Sequence, residues 1–537
     1  MLTELLSQNC QVRTMRKPTR KPTLLVAVLP LLLQSTALVA ALQGQTRHVT
    51  LTKSRRGKHE PGRSSWGEGH DRHELATALH LARGGAVAAR GISDRFRKKK
   101  PPPAVAVVVT SKPINTNDLA PAPPAGTATI ANETFNIIKS IVGAGVLGLP
   151  AGIAAFGNSR TAVYPALVLL IGIGFLAAQG FSMIGTICAR TNAISYRQAW
   201  SRTVGEGTAW MPATACLMVT ACSVLTYSMI LADTVPSVVR VLFGVTVSRT
   251  TALLGMTGTV LLPLCLMKQL SSLAPFSLLG ILGMAFTASA MVVRYVTGAY
   301  AVPNGQLLAE LTDALQPSFG AAGWQSVFSP NSAILVSMLS TAFMAHYNAP
   351  KFYWELKDTS IPRFNRVVAL SFAGAVLLMA VTAVAGFATF GAGCSSLILN
   401  NYAAKDSLMS LSRAAVTVSL MFSYPLAFVG VREGLLDLLK VPMQKRDRLS
   451  DPLSVGLLAI ITGLAFMLKD IGVILALGGA TWGNCVIYLF PAVMLVKAAQ
   501  KDGSDSELKK QVPRAIGTGL LGLCLGAVGT VRALQNL

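Results

Sequence analysis

The stretch Asn136-Ile-Ile-Lys139-Ser140-Ile-Val-Gly143-Ala144-Gly145-Val-Leu-Gly148-Leu-Pro150 decides how this chain is read. It occupies an apolar run long enough to be a helix, yet it carries its own interruption. Gly143 and Gly145 each lower helix stability by about 1 kcal/mol, and Pro150 removes the amide that would bond residue 146. The spacing predicts unwinding near these glycines. At mid-membrane depth an unwound turn exposes amides and carbonyls, and the amino terminus of the half-helix beyond it attracts a carboxylate. Close packing of small residues against a neighbouring helix is the competing reading, and these residues alone leave both open.

Working outward, composition fixes the setting. The chain has 537 residues, 52% of them hydrophobic and 13% charged, against roughly 25% charged in soluble domains. Too few charges remain to cover a soluble surface, so the chain is read as an integral membrane protein. Backbone in hydrocarbon must satisfy its own hydrogen bonds, which makes apolar runs of about 20 residues helices. Eleven such runs are read, at 131–156, 161–187, 209–233, 251–266, 273–297, 331–349, 367–391, 407–430, 453–468, 471–496 and 515–533. The alternate loops test this count. Loops 188–208, 267–272, 350–366, 431–452 and 498–514 hold 17 Lys and Arg, whereas the intervening ones hold 6. The bias places residue 131 on the cytosolic side and the carboxyl terminus opposite.

Over half of the +24 net charge lies before residue 131, where 20 Lys and Arg face 7 Asp and Glu. Five basic residues between Arg13 and Lys21 precede an uncharged stretch, Leu24 to Leu42, that ends in small residues. That order is a secretory signal peptide, while its length also suits an uncleaved signal anchor. Residues 43–129 are basic, acid-poor and rich in Gly, Ala and Pro, and are read as disordered, as either an organelle address or a cytosolic tail. Residues 1–130 thus form a targeting or disordered extension and 131–533 a transmembrane domain. No basic helix with interleaved aromatics occurs, which argues against nucleic acid as a partner.

Charge inside the apolar runs is costly and marks candidates. Lys139 and Arg413 lie about two turns inside their runs, either as structural contacts or as substrate or ion groups. Asp233 sits at a run end, where a solvated cap competes with a site. Arg294 lies close enough to its helix end to snorkel and is given no function. The cysteines form no CxxC or Cys/His spacing, so packing accounts for them and no metal or cofactor is inferred. No paired carboxylates or nucleophile elbow lie in the helical core, so no enzyme is read here.

The first-helix pattern Asn136-x-x-Lys139-x-x-x-Gly143-x-Gly145-x-Leu147-x-Leu149-Pro150 resembles the signature of the amino acid/auxin permease family. Further likenesses follow in order: Ala342-Phe-Met-Ala-His346-Tyr-Asn-Ala-Pro350 with Glu355-Leu-Lys357, then Arg413 with Ser423-Tyr-Pro-Leu426 and Arg432, then Gly478-Gly-Ala480 and Pro491-Ala492. The resemblance implies an all-α membrane protein with the LeuT-type fold, two inverted five-helix repeats at about 131–297 and 331–497 plus an eleventh helix. It implies a transporter of L-amino acids working by alternating access, in a plasma membrane or endomembrane, with an organelle envelope open. The family's sixth helix usually breaks at a Gly-x-Gly; here Ser340-Thr341-Ala342 stands instead, so a second break is not evident.

On that resemblance, Gly143, Ala144 and Gly145 would offer backbone groups to the substrate carboxylate, with Ser340 and Thr341 lining the facing side. Lys139, Asp233, His346, Arg413 and Ser423 are the candidates for ion coupling or gating. A fixed ammonium at Lys139 would repel sodium, which favours a proton as coupling ion or facilitated export. His346 is weighed as a proton carrier against a hydrogen-bonded packing residue.

Overall fold

The computed structural model describes residues 126–267, 274–468, 470–502 and 505–535. The proposed signal at 24–42 and most of the basic extension lie outside them. What is described is a bundle of helices, with only isolated backbone bridges in place of strands.

The first apolar run is two helices. Helix α1 spans Ile130–Ile141, its amino terminus capped by Thr129, and α2 spans Leu149–Ala154 with Pro150 in its first turn. They meet at 49°, separated by a short 3-10 turn over Ala144–Gly148. Proline is tolerated there because a first-turn amide has no helical partner to lose. Helix α3 (Val163–Thr191) ends on Asn192 in the left-handed conformation, and a short α4 (Tyr196–Thr203) leads into α5 (Trp210–Phe243). Then come α6 (Arg249–Leu266) and α7 (Ala274–Val296).

The second half opens in the same way. Helix α8 (Ser332–Ala342) stops, and α9 (Ala349–Glu355) restarts with Pro350 in its first turn. Helices α10 (Ile361–Phe390), α11 (Ser407–Leu438), α12 (Met443–Met467), α13 (Ile471–Lys501) and α14 (Ser506–Gln535) complete the bundle. Asp470 caps the start of α13, accepting from the Gly472 amide at 2.8 Å. The separation of α12 from α13 therefore falls where the sequence placed it.

Among the described residues nine helices are long and apolar enough to cross a membrane, ten with the bent α1–α2 pair. The protein is an all-α, multi-pass integral membrane protein. The remaining run, 331–349, holds α8, whose 11 residues are too few to span alone. Burial sorts centre from rim. The apolar part of α13 is 72% buried and that of α6 only 22%, so α13 belongs to the core and α6 faces lipid. Helix α8 packs on α13, α14, α2 and α3, while α11 lies along α5 and α7.

Candidate functional site

The two breaks face each other at the centre of the bundle. A methyl group on Gly145 would stand 3.1 Å from the Ala342 Cα, and one on Gly148 would meet Leu475 Cδ1 at 2.8 Å and Met338 Cε at 3.0 Å. On the other side of the turn a methyl on Gly143 would lie 3.0 Å from the Tyr227 hydroxyl of α5. The backbone at Gly143 is extended, with φ −125°. Glycine is needed there for room, not for an unusual dihedral.

The expected unwinding of the first helix is present, and a second one accompanies it. The absence of Gly-x-Gly did not keep the sixth run continuous: α8 ends at Ala342, and Ala345 adopts φ −143°, ψ 0° before a 3-10 turn over His346–Asn348. The cause is Pro350, which lacks the amide that would bond residue 346. Among the described residues neither the Gly143 nor the Ala345 amide donates a hydrogen bond to the protein. Each break therefore presents a free N–H group near its partner. Asn348 Nδ2 donates to Ser140 Oγ at 3.4 Å and ties the two breaks together.

The remaining candidates take distinct places. Ser340 is fully buried and turns toward α13, donating to Val336 O at 3.1 Å and Asn484 Oδ1 at 3.3 Å. Thr341 donates to Leu475 O at 2.6 Å. Both hydroxyls brace α8 against α13 at the break. His346 is buried, with Nε2 2.8 Å from Ala177 O and the rings of Phe181 and Phe372 edge-on to it. Ser423 donates back to Ser419 O at 2.8 Å within α11.

Lys139 points to the corner where α1 meets α7 and α11. A methyl built on Gly280 would lie 3.9 Å from Lys139 Cε and 2.9 Å from Ser419 Oγ, so all three share one spot. Ser419 Oγ also donates to Gly280 O at 3.3 Å. The corner brings together an ammonium, a hydroxyl and a carbonyl from three helices.

Arg413 and Asp233 each have hydrogen-bond partners within the bundle. Among the described residues Arg413 makes no ion pair with a carboxylate; its guanidinium donates to Tyr402 O at 2.6 Å and Leu399 O at 2.9 Å, closing the carbonyl end of the turn before α11. Asp233 accepts from Arg249 Nε at 2.7 Å and Asn400 Nδ2 at 3.3 Å, which replaces the solvated cap considered from sequence with an ion pair. Arg294 corrects the snorkelling reading. It makes a forked pair with Asp406, at 2.6 Å from Nη2 and 2.9 Å from Nε, and the Asp406 side chain is fully buried. Tyr300 Oη adds a third donor at 2.9 Å. Burial alone would raise the Asp406 carboxyl, but Arg294, the Met409 amide and Tyr300 together hold it below the usual carboxylate range. Sequence reading missed Asp406 because it lies outside every apolar run.

The cytosolic end, as loop charge assigns it, is pinned by backbone. The Ala128 amide donates to Glu355 O at 2.9 Å and the Lys357 amide to Ala128 O at 2.8 Å, joining the segment before α1 to the segment after α9. Both broken segments are thereby linked at the centre and at this end.

Known proteins resemble this chain over most of its length. A family described as "Transmembrane amino acid transporter protein" matches residues 126–531. The "Sodium-coupled neutral amino acid transporter 7" of Mus musculus is 24% identical over 435 residues, covering 75% of this chain and 87% of that one. The "Amino acid transporter AVT6E" of Arabidopsis thaliana is 24% identical over 428 residues, 76% and 83% of the two chains. A solved structure titled "Inward facing conformation of Mhp1" aligns with TM-score 0.48 and 11% identity over 79% of this chain and 93% of that one. With a match running from the segment that pins the cytosolic end to the last helix, this chain belongs to the transmembrane amino acid transporter family.

Proposed function

We propose that the protein is a secondary active carrier that binds an L-amino acid between the two helix breaks and exposes it to each side in turn, coupled to protons. The observation that carries the reading is the pairing of the breaks. Gly145 lies against Ala342, and the unbonded amides of Gly143 and Ala345 belong to the two facing turns. Such N–H groups suit a substrate carboxylate, because backbone donors in a low-dielectric site bind charge without reorganising. Gly143, Ala144 and Gly145 supply the backbone on one side. Ser340 and Thr341 hold the opposite turn through α13.

Lys139 supports the choice of proton over sodium. An ammonium in the corner lined by Ser419 Oγ and the Gly280 carbonyl occupies the kind of oxygen site a small cation would take, and repels one that approaches. His346, caged by Phe181 and Phe372, is a second candidate for carrying the proton, while Ser423, Arg413 and Asp233 maintain the frame around the site. Sodium coupling is the alternative, favoured by the name of the mouse relative. The full chain in proteoliposomes, given labelled amino acids with a proton gradient, a sodium gradient or neither, separates the two. Accumulation above equilibrium only with the proton gradient is expected. Accumulation driven by sodium alone overturns the role given to Lys139, and binding without transport under every gradient overturns the carrier.

A further inference from the structure

A groove of about 1100 Å³ runs along the seam between α3 and α10 and is closed at one end by the start of α14. Its long walls are apolar, among them Phe175 and Leu377, 62% and 67% exposed to the bilayer side. Its closed end is different. Asn365, Gln511 and Arg514 line it, and among the described residues none of these side chains makes a hydrogen bond or an ion pair. Lys510 also lines that end, paired with Glu507 at 2.6 Å, and that pair is exposed. The polar rim thus carries two cations and one carboxylate, with the Arg514 guanidinium uncompensated.

Arg514 is exposed near the cytosolic end of α14, just before the apolar run that starts at 515, and makes no ion pair among the described residues. Arg514 stands eight residues beyond Ser506, or about 12 Å along α14, which is deep enough to reach the boundary between headgroups and hydrocarbon. A guanidinium at that boundary attracts anionic headgroups, because the cytosolic leaflet carries negative surface charge. The groove dimensions fit one class of anion. From Thr186 back to Ile171 on α3, and from Asn365 to Ala380 on α10, each wall is 15 residues, about 22 Å. Half of a bilayer with its headgroups is roughly 20–22 Å. The groove is one leaflet long, cationic at the end that loop charge assigns to the cytosol, and apolar along the rest.

We infer that this groove is a binding site for an anionic phospholipid of the cytosolic leaflet, its phosphate held by Arg514 and Lys510 and an acyl chain laid along the α3–α10 seam. The unpaired amides of Asn365 and Gln511 supply further contacts to the headgroup. Anionic lipid is concentrated in that leaflet, and a free phosphate would leave the apolar walls unused. The seam lies directly outside the second helix break: a methyl on Gly174 would meet Val376 Cγ2 at 2.6 Å and Phe343 Cζ at 3.0 Å. The inference does not depend on what the protein carries.

The test uses the full chain in phosphatidylcholine vesicles containing a trace of spin-labelled phosphatidylserine or spin-labelled phosphatidylcholine, and reads the immobilised fraction by electron paramagnetic resonance. The wild type is expected to retain the serine lipid over the choline lipid by about fivefold for each cation engaged. Arg514→Gln with Lys510→Gln brings the two labels to parity, whereas Arg532→Gln at the far end of α14 leaves the preference intact. Ala373→Trp fills the groove without changing charge and also abolishes the preference. Equal retention of both labels by the wild type overturns the site. So does a preference that survives Ala373→Trp in folded protein, since cations would then be collecting lipid by their field alone. Arg514→Gln alone leaves packing untouched and decides the matter should the tryptophan variant not fold.

Discussion

The break between α1 and α2 is built on glycine, whereas the break between α8 and α9 has none. In the first, Gly143 and Gly145 stand where a methyl would meet Tyr227 Oη at 3.0 Å and Ala342 Cα at 3.1 Å. In the second, Phe343 and Ala345 are wholly buried and their side chains fill the space beside the turn. What the two share is proline: Pro150 follows Gly145 by the same spacing as Pro350 follows Ala345, and each opens the next helix. Proline is therefore the signal common to both breaks, while glycine adds to the first and marks the side on which another backbone comes close. The difference also makes the breaks unequal in their tolerance of substitution.

The strongest way to break the comparison is to put bulk into the glycine turn. Gly145→Leu drives a side chain into the Ala342 backbone, which cannot move aside as a flexible side-chain tip would. Amino-acid uptake is expected to fall to background at equal membrane expression. Ala345→Leu, at the matching place in a turn that already accommodates side chains, is expected to reduce uptake less. Normal uptake by Gly145→Leu would sink the claim that the breaks meet at the site.

Next in size is a control that touches neither break. Asp406→Asn leaves Arg294 without its buried partner, and breaking one side of such a pair costs about 3–5 kcal/mol. The expected result is a large drop in thermal stability with substrate affinity of the surviving folded protein unchanged. The pH dependence has a definite sign. Because the folded-state carboxyl titrates below its unfolded value, its contribution is complete above the ordinary aspartate range near about 3.9 and is lost only as pH falls below it. Stability measured from neutral down to mild acid should therefore show no loss from this pair, whereas Asp406→Asn should remove that acid-limited component.

Pro350→Ala asks whether proline alone sets the second break. Proline disfavours a continuous helix by about 3 kcal/mol, so restoring the amide lets the α8 helix compete through residues 343–349 and should lower uptake by about tenfold. The same change at Pro150 is expected to do less, because Gly143 and Gly145 still weaken the helix before it. Equal effects at both positions would confine glycine to packing, whereas a smaller effect at Pro150 shows that Gly143 and Gly145 share in unwinding the first break.

This asymmetry also explains what the sequence made legible. The first break was readable because glycine and proline signals coincided within Gly143–Pro150. The second was overlooked because attention to a missing Gly-x-Gly at Ser340-Thr341-Ala342 hid the single signal present, Pro350. Span counting from sequence did include 331–349, but it could not show that the run is divided, since α8 is too short to span alone. The charges show another limit. Lys139 was recognised as out of place in lipid, but its position beside Gly280 and Ser419 depends on three helices that only tertiary packing brings together. Arg294 was read as snorkelling because its partner is 112 residues away, in a loop whose composition gives no sign of burial.

The finest test concerns what holds the second break once proline has made it. Thr341 Oγ1 donates to Leu475 O at 2.6 Å, and the neighbouring Ser340 reaches Asn484 Oδ1 at 3.3 Å, so α8 ends braced on α13. Thr341→Val keeps shape and removes one hydroxyl. The cost should be near 1 kcal/mol, the net worth of a typical hydrogen bond, because the Leu475 carbonyl loses only this additional donor. A brace that merely stabilises the fold would lower melting temperature and leave transport kinetics alone. A brace that positions the turn for substrate would raise the KM for uptake severalfold while maximal rate changes little. The place that matches Thr341 in the glycine break is Ile141, which carries no hydroxyl, so a KM effect here marks where the second turn adds a directed hydrogen bond to close packing.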